Sequence, residues 1–332
     1  MEEYFSIWHK NKKSLPCRES VCIPSERETL LKFKNNLNDP SNRLWSWNHN
    51  HTNCCHWYGV LCHNVTSHLL QLHLNSSDSL INDDWEAYRR WSFGGEISPC
   101  LADLKHLNYL DLSGNRFLGE GMSIPSFLGT MTSLTHLDLS LTGFYGKIPP
   151  QIGNLSNLVY LDLGGYSDLF AENVEWVSSM WKLEYLYLSN ANLSKAFHWL
   201  HTLQSLPSLT HLSLSHCTLP HYNEPSLLNF SPLQTLHLSF TSYSPAISFV
   251  PKWIFKLKKL VSLQLPGNEI QGPIPGGIRN LSLLQNLDLS FNSFSSFIPN
   301  CLYGLHRLKF LNLMDNNLHG TISDALGNLT SL

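Results

Sequence analysis

One nine-residue phrase constrains the possible fold of this chain more than any other feature. LNYLDLSGN, from Leu107 to Asn115, returns as LTHLDLSLT from Leu134, LQNLDLSFN from Leu284 and LKFLNLMDN from Leu308. Aligned on the second leucine, the copies fall at Leu110, Leu137, Leu161, Leu186, Leu212, Leu236, Leu263, Leu287 and Leu311, with intervals of 27, 24, 25, 26, 24, 27, 24 and 24 residues. A looser copy holds Leu69, Leu72 and Leu74, and Leu332 stands where another would begin. Such regularity means one small unit used repeatedly, too small to bury its own apolar face alone.

In a strand, successive side chains face opposite ways, so Leu110 and Leu112 point inward while Tyr109, Asp111 and Ser113 point outward. Stacked copies pair these strands in parallel over a continuous apolar core. With an LxxLxLxxN core, the expected class is α/β: a leucine-rich-repeat solenoid of the 24-residue type with a parallel sheet on its concave face. At about 4.8 Å per strand, nine or ten repeats give an inner arc of roughly 45 Å, the size of a protein-binding surface.

The return segments read GKIPPQIGNLSNL from Gly146 and GPIPGGIRNLSLL from Gly272. Ile148 and Ile274 are inward packers, Pro149 and Pro275 fix extended turns, and the following apolar residues predict half-helices on the convex side. Asn115, Asn268, Asn292 and Asn316 share one repeat position, where a buried amide can bond turn backbone of its own and the neighbouring repeat. Thr142, Tyr166, Ala191, Cys217 and Thr241 replace that Asn in the middle. Together with the missing GxIP turns there, this predicts looser curvature between about residues 158 and 255.

Three parts are expected: a disordered leader over 1–21, an N-terminal cap over 22–66, and about ten repeats over 67–332, truncated at the C-terminus. Five of the eight cysteines precede residue 63, which predicts a disulfide-stapled cap. The expected pairs are Cys22 with Cys54 and Cys55 with Cys62, leaving Cys17 spare. His56 and His63 flank these cysteines, but the spacing fits no zinc pattern. Ser25 and Glu28 suggest a capping box opening a helix of about twelve residues, and Trp45, Trp47 and Trp57 form a lid for the open end of the solenoid. Extra text near 77–95 is a loop-out, either a disordered excursion or a binding loop.

Only 14% of residues are charged and the net charge is −3. No aromatic-interleaved basic patch occurs, which argues against a nucleic-acid partner. Acceptor tripeptides for N-glycosylation begin at Asn50, Asn64, Asn75, Asn154, Asn192, Asn229, Asn280 and Asn328, and with the cysteines they favour a secreted or cell-surface setting. Residues 1–16 lack the apolar run of a signal peptide, and no window reads as a membrane span. The chain is therefore expected to be a fragment or altered product of a longer receptor.

Outward strand positions form the candidate ligand-binding face: Tyr109, Asp111, His136, Asp138, Tyr160, Asp162, Tyr185, Tyr187, His211, His237, Gln264, Asp288 and Phe310. Rings in such a row give broad amphipathic contact at modest entropic cost, although ring ladders also stabilise sheets. Histidines sharing this face are a candidate pH sensor. No GxSxG, P-loop, GxGxxG, HExxH or kinase signature occurs, so no catalytic residue, metal or cofactor is expected.

The cap SERETLLKFK, the CCHWYGVLC box, GEISPCLADLKHLNYLDLSGN and the GxIP repeats resemble the extracellular portion of plant leucine-rich-repeat receptor-like proteins, nearest to the fungal-xylanase (EIX-type) immune receptors. The resemblance covers residues 22–332 and implies the plant-specific repeat type. It also implies perception of a protein or peptide at the plasma-membrane surface, with signalling through partner receptor kinases. Family members usually carry more repeats, a C-terminal cysteine cap and a membrane helix. A secreted inhibitor resembling polygalacturonase-inhibiting proteins, or a non-signalling truncated product, is the alternative.

Overall fold

The computed structural model describes residues 21–76, 85–117, 122–165, 168–220, 232–244 and 249–332. All but the last residue of the expected leader, with Cys17, lies outside these residues, as do Tyr166 and Asn229.

Eleven strands make one continuous sheet. The cap supplies β1 (Val60–Cys62), antiparallel to β2 (Leu69–His73). From β2 onward every pair is parallel: β3 (Tyr109–Asp111), β4 (His136–Asp138), β5 (Tyr160–Asp162), β6 (Tyr185–Tyr187), β7 (His211–Ser213), β8 (Thr235–His237), β9 (Ser262–Gln264), β10 (Asn286–Asp288) and β11 (Phe310–Asn312). The register is leucine on leucine throughout, Leu72 beside Leu110 beside Leu137 and so on to Leu311. All of these but Leu311 are at most 1% exposed, each contributing about 1.5–3 kcal/mol of burial.

Most half-helices are 3₁₀ turns, among them Ser126–Thr130, Pro150–Asn154, Glu175–Ser179, Lys252–Lys256 and Gly276–Asn280, and one, Trp199–Gln204, is α-helical; they close the core opposite the sheet. The second glycine of the return motif has a packing reason. A Cβ on Gly129 would stand 2.1 Å from the Gln151 carbonyl oxygen, and one on Gly153 2.2 Å from that of Trp176. Successive turns therefore approach at a distance only glycine permits. Sequence reading missed a second, shorter parallel ladder beside the first. It joins Gly146–Lys147 to Leu169–Phe170, continues through single bridges at Asn192, and reappears as Thr218–Pro220 with Ser242–Ser244 and as Gln271–Gly272 with Ser293–Ser296.

The Asn rungs sit as expected. Asn292 Nδ2 donates to the carbonyls of Leu265 in the preceding repeat (2.9 Å) and Leu289 in its own (3.1 Å), while its Oδ1 accepts from Asn268 N and Ile270 N at 3.0 Å each. In the middle the side-chain bonds thin out. Thr142 Oγ1 donates to its own Leu139 carbonyl, and Cys217 Sγ donates to Leu188 of the preceding repeat at 3.0 Å. Ala191 leaves the work to its backbone N–H, which donates to Leu188. Main-sheet pairing nonetheless continues in register through this block.

The cap carries both expected disulfides, Cys22–Cys54 and Cys55–Cys62, so the thiolates that a metal would need are already consumed. Helix α1 (Pro24–Asn35) has the expected length, but its N-cap is Ile23, which makes no side-chain capping bond. Pro24 at the first helical position fixes φ and has no N–H to satisfy, so it starts the helix ahead of Ser25. Instead of capping, the helix anchors: buried Glu26 accepts from Leu69 N at the start of β2 (2.7 Å).

Two of the three lid tryptophans hold their expected place. Trp47 and Trp57 are buried and stacked at 5.6 Å, whereas Trp45 is 60% exposed. Part of the expected loop-out is ordered secondary structure. Residues Trp85–Trp91 form helix α2, and Gly94–Gly95 pairs with Leu37–Asn38 of the cap. Arg43, 5% exposed, binds this segment: its guanidinium donates to the Trp91 and Asn75 carbonyls and to Tyr58 Oη, and lies 4.2 Å from the Phe93 ring centroid. This part of the excursion is a strap on the cap.

Candidate ligand-binding face

Each main strand presents two outward positions, and parallel registry lines them up as two columns. The first runs Gln71, Tyr109, His136, Tyr160, Tyr185, His211, Thr235, Ser262, Asn286, Phe310. The second runs His73, Asp111, Asp138, Asp162, Tyr187, Ser213, His237, Gln264, Asp288, Asn312. Neither column contains Lys or Arg.

At the N-terminal half the rings form one array. Centroids are 4.4 Å apart for His73–Tyr109, 3.9 Å for Tyr109–His136, 4.1 Å for His136–Tyr160, 5.8 Å for Tyr160–Tyr185 and 4.3 Å for Tyr185–His211. Tyr187 meets Tyr160 edge-on at 5.6 Å. His73 was absent from the sequence-based set, although its place beside Leu72 in the loose first copy was the signal that could have found it.

Beside the rings, Asp111, Asp138 and Asp162 occupy paired positions on three neighbouring strands. Ser113 and Ser140 each donate a backbone N–H and a hydroxyl to the aspartate two residues back, and Gly164 N donates to Asp162 at 2.7 Å. This is the purpose of the recurring D-L-S. Asp111 is only 6% exposed, because Asn75 Nδ2 caps its other oxygen at 2.9 Å. Its carboxylate is thus held by Asn75 on one side and Ser113 on the other.

Burial, and then the charge of Asp111, pushes the Asp138 carboxyl up to about 6. Burial, and then Asp138, pushes Asp162 up to about 8. The histidines move the other way. Burial, reinforced by His73, holds His136 down to about 4, and burial also lowers His73, His211 and His237. His136 is therefore a neutral stacking partner at pH 6 to 7, where Asp138 and Asp162 titrate nearby.

The remaining expected residues do not join this array. His237 and Gln264 lie further along the second column, Asp288 is held by Ser290 and Asn312, and Phe310 is 48% exposed on the last strand. Among the acceptor asparagines, Asn50, Asn64, Asn154, Asn192, Asn280 and Asn328 are exposed, while Asn75 is half-buried and committed to Asp111. Asn154, Asn280 and Asn328 share the last position of a 3₁₀ turn, whereas Asn192 sits on the second ladder.

Known proteins share this design. The profile described as Leucine rich repeat N-terminal domain matches residues 23–63, and leucine-rich-repeat profiles match 106–131, 133–155 and 258–318. Receptor-like protein EIX1 of Solanum lycopersicum is 34% identical over 82% of this chain and 27% of its own length; receptor-like protein EIX2 is 33% identical over 82% and 26%. The chain thus spans about a quarter of these relatives. Among solved structures, PEPR1–AtPEP1 aligns at TM-score 0.52 and 27% identity, over 93% of this chain and 48% of that one. A TDR receptor aligns at 0.56 and 28%, over 72% and 44%. A plant ice-binding protein aligns at 0.63 with 22% identity over 91% and 89%, a likeness of fold. The chain belongs to the leucine-rich-repeat receptor-like proteins of plants, of the EIX type.

Proposed function

We infer that this chain is a ligand-binding portion of the ectodomain of a cell-surface receptor-like protein. It takes a protein or peptide on the N-terminal half of its concave face, and the whole receptor signals in defence through partner receptor kinases. The observation that carries this reading is the ring array from His73 to His211 beside the paired aspartates, with no Lys or Arg in either column. Rings on a rigid sheet offer contact area that is already ordered, and the acidic side chains beside them add polar groups that can hydrogen-bond a ligand. A sheet needs no such array for stability, since the C-terminal half stacks equally well in register on Thr235, Ser262 and Asn286.

No helix among the described residues is long and apolar enough to cross a membrane. The extracellular setting rests on the receptor-like relatives, the two cap disulfides and the exposed acceptor asparagines. The test is capture of proteins from fungal culture filtrate on the glycosylated chain. A captured protein displaced by substitutions in the ring array supports the receptor reading. A captured pectinase that loses activity points to the inhibitor instead, and an empty capture contradicts both.

A further inference from the structure

The cap contains a cleft that the concave face does not use. It is an open cleft of about 540 Å³ walled by Trp45, His51, His56, Trp57 and Tyr58, with Asn50 on its lining. That volume lies within the roughly 300–1,000 Å³ usual for a small-molecule site. Two of the aromatic walls face solvent: Trp45 is 60% exposed and Tyr58 41%. The lid of the solenoid is complete without Trp45, because Trp47 and Trp57 stack beneath it. An indole left open on a stapled cap needs another reason.

Asn50 supplies that reason. It begins an acceptor tripeptide with His51 and Thr52, and its side chain is exposed. The loop that carries it is fixed. Asn48 Oδ1 accepts from Asn50 N at 2.9 Å and His51 N at 3.1 Å, and Asn48 Nδ2 donates to the Trp45 carbonyl at 2.8 Å. Trp57 Nε1 donates to the His51 carbonyl at 2.9 Å, which ties the same loop to the buried lid. The acceptor and the aromatic walls are therefore held on one rigid frame. Asn154 and Asn280, by contrast, close 3₁₀ turns elsewhere on the solenoid.

We propose that this cleft seats the first N-acetylhexosamine of a glycan attached to Asn50. In the attachment step the Asn50 amide nitrogen bonds to the anomeric carbon of a lipid-pyrophosphate-linked oligosaccharide. The bond from that carbon to the pyrophosphate breaks, the lipid pyrophosphate leaves with the electron pair, and the amide loses one proton. The attached pyranose then lays its C–H face on an indole or phenol ring, the amphipathic contact for which Trp and Tyr are suited. The polar groups of Thr52, His51 and His56 line the same space for its hydroxyls and acetamido group. A glycan so seated covers the apolar surface of Trp45 and becomes part of the cap.

The proposal rests on the extracellular reading, and the experiment separates the two. The chain is produced in a glycosylating eukaryotic host, its acceptor sites are mapped by mass spectrometry, and thermal midpoints are compared for wild type, Asn50→Gln, Thr52→Ala, Trp45→Ala, Asn50→Gln/Trp45→Ala and the control Asn154→Gln. The expected result is occupancy at Asn50. Both Asn50→Gln and Thr52→Ala then lower the midpoint more than Asn154→Gln, and Trp45→Ala lowers it in the glycosylated background but not on Asn50→Gln. Free chitobiose should quench tryptophan fluorescence in Asn50→Gln and leave the glycosylated form unchanged. Unmodified Asn50 beside modified Asn154 and Asn280, additive effects of Asn50→Gln and Trp45→Ala, or equal chitobiose binding by both forms each overturn the proposal alone. All sites unmodified overturns the extracellular reading with it.

Discussion

Asp138 and Asp162 are register partners on adjacent parallel strands, two carboxylates side by side with the Tyr160 hydroxyl 3.5 Å from Asp162 Oδ2. Burial raises both, helped by the charge of Asp111 at Asp138 and of Asp138 at Asp162, and carries Asp162 to about 8. The folded chain therefore holds protons there that the unfolded chain has released, so this pair's contribution to stability falls as pH rises towards 8. His136, held down to about 4, works oppositely: below pH 6.5 the unfolded chain takes a proton that the folded one refuses. The two effects oppose each other between pH 4 and 6.5, and above 6.5 the fall is carried chiefly by Asp162. The urea midpoint should fall from pH 6.5 to 8.5 in wild type and stay nearly flat in Asp162→Asn. An equal fall in both would contradict the raised Asp162 carboxyl.

The Asn rungs are unequal in worth. Asn292→Ala strips five hydrogen bonds' worth of partners from buried backbone, at Leu265, Leu289, Ser290, Asn268 and Ile270. Leaving such groups unpaired costs about 1–3 kcal/mol apiece before relaxation, and about 3 kcal/mol net is expected. Thr142→Ala loses a single bond to Leu139 and should cost about 1 kcal/mol. Urea denaturation of both variants, followed by far-ultraviolet circular dichroism, checks the ratio.

Arg43 is the link between the cap and helix α2. Arg43→Met keeps the length of the side chain but leaves the Trp91 and Asn75 carbonyls without their donor. The expected cost is about 3 kcal/mol, with amide exchange rising first in Trp85–Trp91 and in Gly94–Gly95. Uniform protection across these residues in the variant would show that the strap docks without the arginine.

The parts of this molecule that were legible in sequence are those a single repeat dictates. Leu110 and its equivalents must be inward, so their spacing alone specifies the sheet, the register and the two outward columns. Cys22–Cys54 and Cys55–Cys62 followed from crowding within the cap. Contacts between distant segments were not legible. Nothing local says that Arg43 will meet Trp91 across 48 residues, that Pro24 will outrank Ser25 as the helix start, or that Trp45 alone of three tryptophans will face solvent. In the candidate face, membership of the columns was readable, but the burial that quiets His136 and raises Asp162 depends on neighbours one and two strands away.

The central claim is that ligand is held by the concave ring array, and one comparison tests it most directly. Wild type, a Tyr109→Ala/His136→Ala/Tyr160→Ala variant and a convex-side control, Ser133→Ala/Asn157→Ala, are immobilised after their folding is checked by thermal melting. Fungal culture filtrate is passed over all three, and the retained proteins are identified and quantified. The account predicts a protein retained by wild type and control and reduced at least about tenfold on the ring variant, the equivalent of about 1.4 kcal/mol. Equal retention on all three surfaces would contradict it.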